Sequence, residues 1–252
     1  MKIWEGIILG LVQGLTEFLP VSSSGHLFLL EKLGVGNESL FFNVCMHLGT
    51  LLSVLIVMRK KWLPLVRKPF QKTNLCVLVS CLPTVGFALL FKALAPALLE
   101  GQFLALGFMI TAVFLFCAEK LHFDKKRTLS VKTSILSGVF QGIAVLPGVS
   151  RSGATITALT LVGVDKKESA DFSFLMSIPV ILGSAILEIV PLVSGDFTLA
   201  TADVLPLILG TVTAFLSGCF AIKFFLKIVA TKSLLPFSIY TFLLSIVSMF
   251  LL

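Results

Sequence analysis

The sequence predicts an all-α polytopic membrane protein built as an inverted-topology repeat, in which each half is a re-entrant helical hairpin plus three transmembrane helices. The chain of 252 residues is 57% hydrophobic and 13% charged, with a mean hydropathy of +1.05. This composition is too apolar for a soluble domain of that length. The polar residues concentrate in two similar motifs, and three long apolar segments follow each motif.

The two polar motifs are near-copies of each other. The first runs Gly10-Leu-Val-Gln-Gly-Leu-Thr-Glu-Phe-Leu-Pro-Val-Ser-Ser-Ser-Gly-His26, and the second runs Gly138-Val-Phe-Gln-Gly-Ile-Ala-Val-Leu-Pro-Gly-Val-Ser-Arg-Ser-Gly-Ala154. One residue of slippage aligns them. Polar groups at membrane depth cost several kcal/mol unless they are satisfied, so both motifs are candidate parts of a functional site.

The first hairpin is predicted from an apolar helix at 3–19, which ends at Pro20, and a short apolar run at 22–30. Neither piece has the ~20 residues that spanning requires. A helix that breaks at proline and restarts with a Ser-Ser-Ser cap is typical of a re-entrant hairpin lining an enclosed cavity. The alternative is one kinked spanning helix. No cleavable leader is recognisable before this segment, so we expect it to be retained.

The remaining elements complete two equivalent halves. In chain order they are spans at 41–58, 75–95 and 103–119, a basic linker at 120–132, a second hairpin at 133–163, and spans at 170–190, 204–222 and 235–252. Because three crossings return the chain to the opposite face, the second half enters the membrane inverted. The whole chain, 1–252, is then one integral membrane domain with halves at about 1–125 and 128–252.

The distribution of cations favours one orientation in the membrane. The predicted loop 59–72 and the linker 120–132 are strongly basic, and most of the 20 Lys and Arg fall on one side if both termini lie outside. Cytoplasmic loops carry an excess of Lys and Arg, so we expect both termini outside and a site that opens to the outer face. The two hairpin tips then meet near the midplane. The net charge of +7 follows from this topology, and no nucleic-acid partner is expected.

The first motif supplies groups for nucleophilic or acid–base chemistry. Gln13 and Glu17 share one helical face, and Ser22 and Ser23 lie about one turn before His26. A hydroxyl, an imidazole and a carboxylate in one cavity suit a nucleophile with its acid–base partners. The structural alternative is that the serines cap a helix and the histidine anchors it at the interface. The carboxylate favours the functional interpretation, because in an apolar stretch it requires a cation or a metal.

The second motif supplies the cation and groups that bind anions. Its glycines allow close approach of the backbone, and the amides at a helix N-terminus attract phosphate. Arg151 adds a forked donor that matches phosphate oxygens. The residues expected to bind phosphate are Gln13, Ser22, Ser24, Gly148, Ser150, Ser152, Gly153 and Thr155.

Other polar residues in the spans have simpler explanations. His47 and Asn43 lie one turn apart and are expected to hydrogen-bond between helices, as polar residues in membrane bundles commonly do. Glu188 and Asp171 lie near the ends of a span, where solvation or helix capping accounts for them.

The two motifs resemble the signature motifs of the bacterial undecaprenyl-pyrophosphate phosphatases, the bacitracin-resistance family. The resemblance is carried by residues 13–26 and 146–155 and extends over nearly the whole chain. It implies an enzyme of the bacterial plasma membrane that removes the terminal phosphate of undecaprenyl pyrophosphate. The product is the monophosphate carrier that peptidoglycan and other envelope polymers reuse, and the activity confers bacitracin resistance. A divalent cation, Mg²⁺ or Ca²⁺, is also implied.

The resemblance assigns catalytic positions to Glu17, Ser23, His26 and Arg151, with Glu17 also the candidate metal ligand. The position four before the acid is Glu or Gln in this family and is Gln13 here, which removes one candidate carboxylate ligand. The attacking group is left open between Ser23, His26 and an activated water. The expected partners are a polyprenyl pyrophosphate lipid and membrane lipid. A homodimer is the expected form if the protein assembles. The alternative function is a polyprenyl-phosphate flippase or another secondary transporter of anions.

The orientation can be tested by labelling single cysteines with an impermeant reagent. A cysteine at position 65 should react only from the cytoplasmic side, and one at position 196 only from outside, because positive-inside topology puts the first among the basic segments. Labelling of both positions from the same face would contradict the inverted repeat.

Overall fold

The computed structural model describes residues 1–36, 40–121, 127–194 and 201–251. Within these ranges the regular structure is helical, which confirms the predicted all-α class. The helices are α1 (Ile3–Phe18), α2 (Ser23–Lys32), α3 (Leu40–Val57), α4 (Arg59–Arg67), α5 (Lys72–Leu94), α6 (Leu104–Lys120), α7 (Val131–Ile143), α8 (Arg151–Leu161), α9 (Lys166–Ser194), α10 (Thr201–Ile228) and α11 (Leu235–Leu251). A short 3₁₀ helix, Pro96–Leu99, precedes α6.

Four helices in the described part of the chain are long and apolar enough to cross a membrane. They are α3, α5, and the segments Lys166–Val190 and Asp203–Ile228 of α9 and α10. The predicted spans at 103–119 and 235–252 form the shorter apolar helices α6 and α11, each of 17 residues. Some features used in the sequence analysis lie outside the described residues, namely position 196, the predicted boundary near 125, Lys125 and Lys126.

The first motif forms a hairpin and not a kinked spanning helix. Leu9 of α1 packs in one cluster with Leu27 and Leu30 of α2. A Cβ added at Gly36 would also meet the side chain of Leu9. A continuous helix would separate these residues by about 30 Å, at 1.5 Å per residue. The chain therefore turns back after Phe18, and α7 and α8 pack against each other in the same way.

The basic segment 59–72, predicted as a loop, instead contains the helix α4. Its Lys, Arg, Leu and Trp residues are compatible with a helix. The Trp62 indole N–H donates to the Leu55 carbonyl at 2.7 Å, which ties α4 to the end of α3. Lys61 pairs with Asp171, so that carboxylate has a definite partner beyond simple solvation.

The hairpin of each half packs against the second long helix of the other half. α1 lies along α10, where a Cβ at Gly6 or Gly10 would meet the backbone of Pro206 or Gly210. α7 lies along α5, where a Cβ at Gly138 would meet the backbone of Ser80. Glycine lets helix backbones approach this closely. This exchange of partners is what two equivalent halves would produce, and their inverted direction stays a prediction.

We expect Gly10→Ala to destabilise the protein, because the new methyl group has no room against the Gly210 carbonyl. Overpacking of this kind typically costs about 1–3 kcal/mol. The measurement is the midpoint of thermal unfolding in detergent. Gly183→Ala is the matched control, since nothing lies within 4 Å of a Cβ at that helical glycine. Equal midpoints for the two variants would show that the α1–α10 contact is not tight.

Candidate active site

The break in the first hairpin brings two residues of the first motif together. α1 ends at Phe18 and α2 begins at Ser23, with Ser22 as its N-cap at a φ of 72°. A positive φ is uncommon for a residue other than glycine, and it marks a sharp turn. The Ser22 hydroxyl accepts from the Gly25 N–H at 3.4 Å. The turn places Glu17, in the last turn of α1, beside Ser23 at the start of α2.

Glu17 is the centre of the polar cluster. Its Oε2 accepts from the Ser23 hydroxyl at 2.6 Å, and its Oε1 accepts from Arg151 Nη2 at 2.5 Å. Arg151 is the first residue of α8, so this ion pair joins the tips of the two hairpins. Glu17 is 7% exposed. A buried carboxylate requires a charged partner, and the second motif supplies it, as the sequence predicted.

His47 belongs to a second layer of contacts around Glu17. The sequence did not predict that His47 lies in the site. Gln13 Nε2 donates to Glu17 Oε2 at 3.2 Å and lies 3.0 Å from His47 Nδ1. His47 Nδ1 is 3.9 Å from Glu17 Oε2. The expected interhelical hydrogen bond of His47 is therefore confirmed, with Gln13 as the partner. The sequence held no signal that this partner would be a residue of the first motif.

The tip of the second hairpin is ordered by backbone and hydroxyl contacts. Gly148 has a φ of 87°, and its carbonyl accepts from the Thr111 hydroxyl at 2.9 Å. The Ser150 N–H donates to Thr111 Oγ1 at 2.8 Å, and the Ser150 hydroxyl accepts from the Gly153 N–H at 3.1 Å. The Ser152 hydroxyl donates to the Leu19 carbonyl at 3.2 Å, which is a further contact between the two tips.

The cluster borders a cavity of about 260 Å³. Its lining includes six of the predicted site residues, namely Glu17, Ser22, Ser23, Ser24, Ser150 and Arg151. Gln13, Gly148, Ser152, Gly153 and Thr155 are not in the lining. Thr155 pairs instead with the Ser173 hydroxyl at 2.7 Å. The structure thus separates residues that face the cavity from residues that build the hairpin tips.

His26 is directed away from Ser23. Its Nδ1 lies 2.7 Å from the Ser22 carbonyl oxygen and its Nε2 lies 2.7 Å from the Tyr240 hydroxyl. The His26 and Tyr240 rings stack with centroids 5.7 Å apart. Helical spacing alone put the imidazole within reach of a hydroxyl of the first motif. The Ser23 hydroxyl, however, turns toward Glu17.

Besides Thr16 and His47, four polar residues of the cavity lining were not among the predicted site residues, namely Thr84, Gln141, Ser184 and Glu188. Glu188 also lines a second cavity, of about 580 Å³, which shares Ser24 and His47 with the first. Gln141 had a sequence signal, because it occupies the place of Gln13 in the repeated motif. The others come from spans whose neighbours the sequence does not specify.

The cavity combines groups that bind an anion with groups that move a proton. Arg151 Nη1 is buried and has no hydrogen-bond partner among the described residues, so it is free to donate to a ligand. Guanidinium donors match phosphate oxygens. The Ser23 hydroxyl already donates to a carboxylate, which is the arrangement of a nucleophile with its base. Within the described residues no group of three or more His, Cys, Asp or Glu side chains is positioned to hold a metal ion.

The sequence is similar over nearly its whole length to known proteins. The family described as bacitracin resistance protein BacA matches residues 6–247. A curated protein named undecaprenyl-diphosphatase from Carboxydothermus hydrogenoformans is 41% identical, covering 98% of this chain and 96% of its own length. Proteins of the same name from Christiangramia forsetii and Bacteroides fragilis strain YCH46 are 40% and 38% identical, each covering 98% of this chain and 97% of its own length.

Proposed function

Because the chain belongs to the bacitracin resistance protein BacA family, we propose that its buried Glu17–Arg151 cavity is where undecaprenyl diphosphate loses its terminal phosphate. The protein is an undecaprenyl-diphosphatase, a phosphoric anhydride hydrolase of the membrane. Water and undecaprenyl diphosphate give undecaprenyl phosphate and inorganic phosphate. The lipid carrier thus returns to the synthesis of peptidoglycan and other envelope polymers, and bacitracin resistance follows.

The observation that supports this site is the contact of Glu17 with both Arg151 and Ser23 inside one cavity. Arg151 Nη1 donates to the terminal phosphate, and the Ser22, Ser24 and Ser150 hydroxyls at the cavity wall bind its remaining oxygens. Phosphoryl transfer depends mainly on positioning and on charge stabilisation. A cationic donor with hydroxyls at the cavity wall supplies both. The polyprenyl tail leaves the site between helices toward lipid.

Ser23 is the attacking group in this proposal, with Glu17 as its base. The Ser23 hydroxyl proton passes to Glu17 as Oγ bonds to the terminal phosphorus, and the bond from that phosphorus to the bridging oxygen breaks. Undecaprenyl phosphate leaves, and Ser23 carries the phosphoryl group until water releases it. The 2.6 Å Ser23–Glu17 hydrogen bond supports this choice. His26 is hydrogen-bonded to Ser22 and Tyr240, which makes it a weaker candidate base or nucleophile.

A divalent cation would be held mainly by the substrate. Mg²⁺ in phosphoryl-transfer sites commonly uses one or two carboxylates together with substrate phosphates. Glu17 already accepts from Arg151, Ser23 and Gln13, so Glu188, the other carboxylate at the cavity wall, is the better-placed protein ligand. When bound, Mg²⁺ or Ca²⁺ would neutralise charge on the diphosphate.

The protein is a multi-pass membrane protein of four long apolar helices and additional shorter ones, counted over the described ranges. We propose that both termini lie outside and that the site opens to the outer face, which rests on the distribution of Lys and Arg. A homodimer is a further proposal.

The role of Arg151 is tested by Arg151→Lys, which keeps the charge and loses the forked donor. We expect kcat to fall by at least ~100-fold, the scale of losing one transition-state donor. The measurement is phosphate release from undecaprenyl diphosphate by detergent-solubilised protein, a signal that transport cannot produce. Arg67→Lys, at an exposed position of α4, is the matched control. Near-normal turnover of a folded Arg151→Lys variant would remove Arg151 from the site.

Ser23→Ala distinguishes covalent catalysis from activated water. Loss of a nucleophile should leave almost no turnover, whereas loss of one hydrogen bond should cost roughly 10- to 150-fold. Ser177→Ala is the control, since that buried hydroxyl donates to the Phe174 carbonyl at 2.7 Å and is absent from the cavity lining. If Ser23→Ala keeps a tenth or more of the wild-type kcat, attack by Ser23 is wrong and activated water is the better account.

A further inference from the structure

Gln141 is a buried amide at the wall of the cavity. It lies near the end of α7 and is 1% exposed. Its Nε2 donates to the Thr84 hydroxyl oxygen at 2.8 Å. Its Oε1 is buried and has no hydrogen-bond partner in the part of the chain that the structure describes. An amide with one half anchored and the other half free is oriented for a ligand.

The Gln141 amide presents its NH₂ group to the Thr84 hydroxyl. Thr84 Oγ1 accepts from Gln141 Nε2 at 2.8 Å and lies 3.3 Å from the Gly138 carbonyl and 3.3 Å from the Ser80 carbonyl. The one proton of this hydroxyl is therefore left for either of the two backbone carbonyls. The Gln141 carbonyl oxygen is the free half, and it is an acceptor.

The equivalent glutamine of the first motif is used differently. Gln13 has Glu17 one turn later on the same face and donates to it at 3.2 Å. Gln141 has Val145 at that spacing, and Val145 lines the same cavity. The second motif thus keeps the amide and lacks the carboxylate. Gln13 Oε1 also has no partner among the described residues, but Gln13 is absent from the cavity lining, whereas Gln141 is part of it.

The Gln141 carbonyl oxygen can only accept a hydrogen bond, so its ligand must be a group that donates one. A fully ionised phosphate offers only acceptors, so a carbonyl oxygen beside it is repelled. Hydrolysis brings one group with protons to donate, which is the attacking water. We propose that Gln141 is a positioning residue whose amide oxygen orients the water that hydrolyses phosphorylated Ser23. This inference rests on the proposed function.

Hydrolysis of phosphorylated Ser23 requires only water and the protonated Glu17. The water oxygen forms a bond to phosphorus as the bond from phosphorus to Ser23 Oγ breaks. Glu17, protonated in the first step, returns its proton to Ser23 Oγ. Both water protons remain with the released phosphate, which leaves as dihydrogen phosphate and then equilibrates with solvent. Gln141 accepts a hydrogen bond throughout and changes no bond of its own.

The test is the steady-state and rapid-quench kinetics of Gln141→Leu with undecaprenyl diphosphate. Misplacing a reacting group by about 1 Å can cost on the order of 100-fold, so we expect kcat to fall about 10- to 100-fold. Only the hydrolysis of phosphorylated Ser23 is slowed. KM should therefore fall together with kcat, and kcat/KM should stay within about threefold of wild type. Undecaprenyl phosphate should appear in a burst of up to one per enzyme, ahead of inorganic phosphate.

Two further variants separate positioning from folding. Thr84→Val removes the hydroxyl that holds the Gln141 amide, and it should lower kcat by less than Gln141→Leu does. The double variant should have nearly the same kcat as Gln141→Leu alone. Thr157→Val is the matched control, because Thr157 Oγ1 is another buried atom without a partner among the described residues, and it is not in the cavity lining. Its kinetics should equal those of wild type.

Three results would overturn the inference. They are unchanged kcat in a folded Gln141→Leu variant, a rise in KM at constant kcat, and a fall in kcat/KM without a burst. The last two would place Gln141 in substrate binding or in the first step. Failure of the proposed function is seen separately, as absence of phosphate release by wild type and Thr157→Val. Failure of the covalent route alone is seen in Ser23→Ala.

Discussion

The ion pair between Glu17 and Arg151 is the interaction on which the arrangement of the two hairpins depends. α1 and α7 are too short to cross the membrane, and each hairpin ends in a tip rich in polar groups. Such tips are tolerated at membrane depth only where protein satisfies them. Here they satisfy each other, through the ion pair and through the hydrogen bond from Ser152 to the Leu19 carbonyl. Removing one charge would leave its partner buried and uncompensated.

Few polar atoms near the hairpin tips are without a hydrogen-bond partner. Those that border the cavity are the groups to which the proposed reaction assigns a ligand. The Thr111 and Ser152 hydroxyls donate to backbone carbonyls, and the Ser150 backbone N–H donates to Thr111. Arg151 Nη1 and Gln141 Oε1 are buried at the cavity without a partner among the described residues. One is a donor and the other an acceptor. The proposed phosphate donor and the proposed water acceptor are therefore different groups of the cavity wall.

Much of the fold and part of the site follow from local physical rules. The proline break, the serine cap and the short apolar runs predict the hairpins, and the repeat predicts that Glu17 and Arg151 meet. The role of His47 could not be predicted, because its contact with Gln13 is made between helices and no spacing rule reports it. The same limit applies to His26. Its spacing from Ser23 suggested a local pair, and a residue of the last helix, Tyr240, is the actual partner.

The exchange of packing partners between halves has a consequence for biogenesis. The Met1 amino group pairs with Asp203 at 2.7 Å across 202 residues of chain, at the start of the α1–α10 contact. At ~5–20 residues per second, α10 leaves the ribosome about 10 to 40 s after α1. During that interval the glycine face of α1 lacks its partner. The packing of α1 is thus completed late in synthesis, after all of the first half has been made.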